Sequence, residues 1–89
     1  MDVPDSELFG REVVHATGAR MGRIEVIVRQ GNGGRIAVVR RGRVLRRWYC
    51  VSLDDAQLLD GRVLTSAPYG RTRPGDVALL GEVQGRHAG

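Results

Sequence analysis

The sequence predicts an all-β fold, and three observations carry that expectation. Its apolar residues fall in short runs broken by glycine-rich turns rather than at helical spacing. Residues 23–29, Arg-Ile-Glu-Val-Ile-Val-Arg, put Ile24, Val26 and Val28 on one face of a strand and Arg23, Glu25 and Arg29 on the other, with Ile27 as the one exception. Asp60-Gly61 lies between two apolar runs, and that dipeptide suits the positive φ angles of a type I′ hairpin turn. Eighty-nine residues fit one domain and leave no room for a second core.

Taken in order, residues 1–7 form an acidic lead with Asp2, Asp5 and Glu7 and no base. Residues 12–15 read as the first strand and end at Ala16-Thr17-Gly18-Ala19, where Gly18 permits a turn. The strand over residues 23–29 leads into Gln30-Gly31-Asn32-Gly33-Gly34, a hairpin loop, and returns through residues 35–40. Arg41-Gly42 offers a tight turn into a further strand over residues 43–51. Asp54-Asp55-Ala56-Gln57 reads as one helical turn capped by Ser52 or Asp54. A hairpin over residues 58–64 follows. Residues 67–89 read as a mainly irregular C-terminal arm, since Pro68, Gly70, Pro74 and Gly75 interrupt any pattern. Residues 76–84 hold Val77, Leu79, Leu80 and Val83, enough for a short helix or a strand, and the last few residues should fray.

Composition limits the function classes. One cysteine, Cys50, excludes an internal disulfide and any zinc site built from several thiolates, which makes a cytoplasmic setting the default. The N-terminus lacks the basic start and apolar run of a signal peptide, and no apolar stretch is long enough to span a bilayer, so no membrane insertion is expected. A chain this small buries only about 60–65% of the surface its unfolded form exposes, which makes a homodimer a reasonable expectation. All fourteen basic residues are arginine, and the formal net charge is +4. The basicity is concentrated: residues 11–50 carry ten arginines against Glu12 and Glu25, while residues 51–89 carry four against five acids.

The order of these features resembles one family. Leu8-Phe9-Gly10-Arg11-Glu12-Val13-Val14 looks like the opening "L-h-G-x-x-V" of PRC-barrel domains, where h is apolar. Thr17-Gly18-Ala19-Arg20-Met21-Gly22-Arg23-Ile24-Glu25-Val26-Ile27 resembles the polar turn and "h-G-x-h-x-x-h" that follow. Val51-Ser52-Leu53-Asp54-Asp55-Ala56 is similar to "V-P-h-D-x-h", with Ser52 where the family usually has proline, and Asp60-Gly61-Arg62-Val63-Leu64 to its closing hairpin. The resemblance covers residues 8–66 and implies a small, strongly bent β-barrel, PRC-type, that works through protein contacts and assembly with no shared active site. Such analogy fixes fold expectations, not function.

No catalytic, metal or cofactor site is expected. Gly18-Ala19-Arg20-Met21-Gly22 and Gly31-Asn32-Gly33-Gly34 are not followed by a helix or by Gly-Lys-Ser/Thr, so they read as turns rather than phosphate loops. His15, His87 and Cys50 are too few and too scattered for a metal site. Ser6, Ser52 and Ser66 lack a nucleophile motif, and Cys50, beside Trp48 and Tyr49, reads as a packing residue. Asp54, Asp55 and Asp60 suit capping and turns better than paired acid–base work.

The constellation that stands out is Arg40, Arg41, Arg43, Arg46, Arg47 and Trp48. Alternation on a hairpin could gather several guanidinium groups beside an aromatic ring. Three readings stay open: an acidic protein surface as partner, a single-stranded RNA or ribosomal partner whose bases stack on the ring, or a solvated edge whose charges discourage aggregation. The expectation is therefore a non-enzymatic protein-interaction or adaptor module, with RNA association as the alternative.

Overall fold

The described residues of the computed structural model are 2–86. The chain forms one helical turn, α1 (Asp5–Leu8), and then β1 (Glu12–His15), β2 (Arg20–Arg29), β3 (Arg35–Arg41), β4 (Arg47–Ser52), β5 (Gln57–Leu59), β6 (Arg62–Thr65) and β7 (Tyr69–Thr72). A 3-10 helix (Pro74–Leu80) and β8 (Glu82–Arg86) complete it. All eight strands belong to a single sheet, with the hydrogen-bonded order β5-β6-β1-β2-β3-β4-β7 and β8 attached to β2.

The all-β expectation holds, but the sheet is not closed into a barrel. Its end strands, β5 and β7, do not pair with each other, and they are only three and four residues long. The longest strand, β2, organises the whole. Antiparallel β3 lies along one side of it, over Arg23 to Arg29. Along the other side β1 pairs with its first part and β8 with its second, from Val26 to Arg29. The β5–β6 hairpin brings β6 against β1 in parallel, Val13 opposite Val63. Asp60 and Gly61 have φ of 52° and 76°, the two positive values that a type I′ turn demands.

A bulge decides which residues reach the core. Ile24 lies opposite Val39, yet Val26 lies opposite Val38, so Glu25 is an extra residue in β2. An insertion in a strand of period two exchanges its faces. Ile24 and Ile27 therefore share the main core with Met21, Ala37, Val39, Val51, Leu53 and Val63. Val26 and Val28 join Val38 on the opposite face. The expected single face of Ile24, Val26 and Val28 is thus divided, and Ile27 is no exception once the bulge is counted.

That second apolar face requires a cover. Val77, almost wholly buried, packs on it with Leu80 and Val83. Residues 69–72 form a strand where the sequence suggests an irregular arm, and beyond them the helix and the strand left open for residues 76–84 both occur. β7 adds to β4, the 3-10 helix starts on Pro74, whose missing N–H costs nothing there, and β8 returns to β2. At the other terminus the acidic lead is tied down as well. Arg35 Nη1 donates to the Val3 carbonyl at 2.8 Å and pairs with Asp5 Oδ1 at 2.7 Å, and Leu8 is fully buried.

Two smaller expectations are also revised. In place of a helical turn over residues 54–57, residues 53–56 form a hydrogen-bonded turn, with Ala56 N donating to Leu53 O, Ser52 Oγ accepts from Asp54 N, and Gln57 already begins β5. Gly22 lies inside β2 rather than in a turn. With φ of 116°, a Cβ there would collide with the Arg40 carbonyl, so this close approach of β2 to β3 requires glycine.

Candidate binding surface at the arginine-rich hairpin

The register of β3 and β4 divides the six sequence-predicted residues. Arg40 lies opposite Trp48, and Arg41 opposite Arg47, so alternation sends the two pairs to opposite faces of the sheet. The expected tight turn at Arg41-Gly42 is instead a loop of residues 42–46, and β4 starts at Arg47. Arg43 and Arg46 therefore belong to the loop, not to a strand.

Arg40 and Trp48 are occupied by Glu25. The indole Nε1 of Trp48 donates to Glu25 Oε2 at 2.9 Å, and Arg40 Nε approaches the same oxygen at 4.0 Å. Trp48 is half-buried and packs against the second apolar cluster. A ring held in this way is a poor platform for a base, which needs an open π face.

Arg41, Arg43, Arg46 and Arg47 are exposed, and none forms an ion pair among the described residues. Arg41 directly opposes Arg47, a like-charge pair that destabilises the free hairpin and that a bound anion would relieve. Between the arginines the loop raises two aliphatic side chains, Val44 at 92% and Leu45 at 76% exposure. Arg41, Leu45, Arg47 and Tyr49 line one small depression of about 170 Å³. The surface is thus an apolar tip within a ring of fixed positive charge.

Sequence reasoning missed Arg71 and Arg73. β7 pairs with β4 so that Arg71 lies opposite Tyr49, next to the Arg41–Arg47 pair on the same face. No local pattern marks these arginines, because their position depends on a strand pairing within a segment rich in proline and glycine.

Other candidate residues are engaged in structure. His15 Nδ1 accepts from the Thr17 backbone N–H at 3.2 Å, which leaves Nε2–H to donate to the Ala67 carbonyl at 3.0 Å. His15, Asp55 and Ser66 line an open depression of about 270 Å³, but both imidazole nitrogens are used to hold the β1–β2 turn and the chain after β6. Cys50 is half-buried, and its Sγ–H points at the Gly70 carbonyl, 3.6 Å away. A further depression, about 890 Å³, is lined by Arg11, Glu12, Arg23 and Arg62 among others. Arg11 and Arg23 there donate to the Glu7, Gly61 and Gly10 carbonyls, and Arg62 pairs with Glu12 at 3.7 Å. Among the described residues no three His, Cys, Asp or Glu side chains gather as a metal site would require, and no helix is long and apolar enough to cross a membrane. His87 lies outside the described residues.

No protein-family model matches the chain, and neither a curated protein nor a solved structure is significantly similar to it.

Proposed function

We propose that this protein is a non-enzymatic protein-interaction module, similar to PRC-barrel domains, whose β3–β4 loop docks an acidic protein partner. One observation carries the reading: Val44 and Leu45 stand almost free at the tip of a loop ringed by arginines that form no ion pair among the described residues. A phosphodiester chain offers nothing to bury two aliphatic side chains, whereas an apolar pocket rimmed by carboxylates complements both parts of the tip. Burying the two would contribute roughly 3–5 kcal/mol before the costs of association. Arginine suits the rim, because its planar fork grips carboxylates bidentately. RNA association is the weaker reading, since Trp48 is held by Glu25. A symmetric homodimer built on this loop would set arginines against arginines, so the proposed partner is a different chain.

Photo-crosslinking from position 44 in the native cell tests the proposal. The expected product is a protein adduct that survives nuclease and disappears when Leu45→Asp is combined with Arg43→Glu. A nucleic-acid adduct would overturn it. So would binding to single-stranded RNA at low salt that Arg43→Glu with Arg46→Glu abolishes.

A further inference from the structure

We propose that the outer edge of β7 accepts an extended acidic segment of a partner protein as an added strand. The inference rests on the protein-binding reading for its class of partner, but it uses the edge of β7 and shares only Arg41 and Arg47 with the loop surface. β7 is the end of the hydrogen-bonded path, with β4 as its one paired neighbour among the described residues, so its outer N–H and C=O groups have no strand partner among them. Tyr69, Gly70 and Arg71 are exposed, and a Cβ added at Gly70 would meet nothing within 4 Å, so a side chain fits on that face. Free edges of this kind are templates for strand addition.

Charge selects the occupant. Arg71 shares a face with Arg47 and Arg41, since it opposes Tyr49 and Arg47 is two residues before Tyr49. Arg73 continues β7 in extended conformation, with φ −111° and ψ 145°, which alternation places on the same side as Arg71. Four guanidinium groups from three adjacent segments therefore flank one edge. Among the described residues none of the four has an ion-pair partner, although Asp76 shares a depression of about 420 Å³ with Arg71 and Arg73. A strand laid beside β7 brings every second side chain to within about 5 Å of Tyr69, Arg71 and the position of Arg73. Carboxylates at alternate positions would meet those arginines.

The same charges explain why the edge stays selective. Arginines on an open edge repel a second copy of this basic end while they attract a strand bearing acids. The opposite edge, β5, offers three residues, Gln57, Leu58 and Leu59, and turns at Asp60, so it has no comparable basic face. Backbone pairing also separates a peptide from a phosphate chain, which has no alternating N–H and C=O groups.

The test is an NMR titration of the isotope-labelled full chain with a short peptide of alternating glutamate and threonine. Controls are a block-ordered peptide of the same composition, two peptides N-methylated on one or the other alternating set of backbone nitrogens, and a single-stranded oligonucleotide. Amide shifts over residues 69–72 and slowed exchange there are expected with the alternating peptide. Arg71→Glu with Arg73→Glu should weaken binding by at least about tenfold, the equivalent of 1.4 kcal/mol, at an unchanged melting temperature. One N-methylated set should lose binding by a similar factor. Val44→Ser with Leu45→Ser, which removes the apolar tip without adding charge beside Arg41 and Arg47, should leave the titration unchanged, so a failure of the loop reading and a failure at this edge give different results. Three outcomes would overturn the proposal: both N-methylated peptides binding as well as the parent, tighter binding of the oligonucleotide, or shifts that rise with protein concentration alone through pairing of two copies.

Discussion

Replacing Glu25 with alanine removes the oxygen that receives the Trp48 indole N–H at 2.9 Å and that Arg40 approaches at 4.0 Å. Trp48 is half-buried against Val26, Val28 and Val38, so its N–H has little water to turn to once the carboxylate is gone. Leaving such a donor unsatisfied costs about 1–3 kcal/mol. The Arg40 contact is long and its side chains are 37% and 33% exposed, so it adds at most about 0.5 kcal/mol. Glu25→Ala should therefore destabilise the fold by about 1–3.5 kcal/mol, which lowers the melting midpoint of a domain this size by roughly 4–28 °C. Glu25→Gln keeps an acceptor for the indole and should cost less than about 1 kcal/mol. Trp48 is the one tryptophan in the chain, so urea unfolding followed by its fluorescence reads stability and environment in the same experiment. A Glu25→Ala protein as stable as the parent would refute the reasoning. If Glu25→Gln were as damaging as Glu25→Ala, the ion pair with Arg40 would be the main contributor, contrary to the distances.

Three further perturbations probe other parts of the fold. Gly22→Ala should destabilise by more than about 3 kcal/mol, because the new Cβ meets the Arg40 carbonyl at a φ of 116°, whereas Gly75→Ala, in open space, should stay within about 0.5 kcal/mol; thermal melts distinguish them. Val77→Ala should cost about 1.5–3 kcal/mol in denaturant titration, and a value near zero would mean that the C-terminal segment does not cover the second cluster. Arg35→Ala breaks the 2.7 Å pair with Asp5, whose side chains are 13% and 22% exposed, and should cost about 1.5–3 kcal/mol while amide exchange over residues 5–8 accelerates.

The sequence made the local turn chemistry legible. The strands of the first two hairpins, the Gly31-Asn32-Gly33-Gly34 loop and the Asp60-Gly61 turn can be read because each depends on a few adjacent residues. The bulge at Glu25 left a single trace, Ile27 out of phase with its neighbours, and alternation alone cannot say which of the two phases is the error. The start of β4 was hidden for a related reason. Arg43-Val44-Leu45-Arg46 has acceptable strand composition, but the register that pairs Arg41 with Arg47 leaves these residues in the loop. The sequence left residues 76–84 open between a short helix and a strand and showed no strand at residues 69–72, because their order depends on tertiary cover. Val77, Leu80 and Val83 have a role only once Val26 and Val28 are known to face away from the main core.

The bulge also links the fold to the proposed binding surface. By inserting Glu25, β2 sends Val26 and Val28 to a second face, and Val38, Trp48 and the C-terminal segment must cover that face. The inserted residue then supplies the acceptor that Trp48 needs there and draws Arg40 toward the same carboxylate. The most conspicuous pairing in the sequence, arginine beside tryptophan, is in this way used to hold the sheet. What remains free is determined by the same event. Arg41, Arg43, Arg46 and Arg47 form no ion pair among the described residues around Val44 and Leu45, and the covering segment runs through β7, placing Arg71 beside them. Without the second face there would be no reason for that segment to join the sheet, and the basic end of the molecule would lose its third strand.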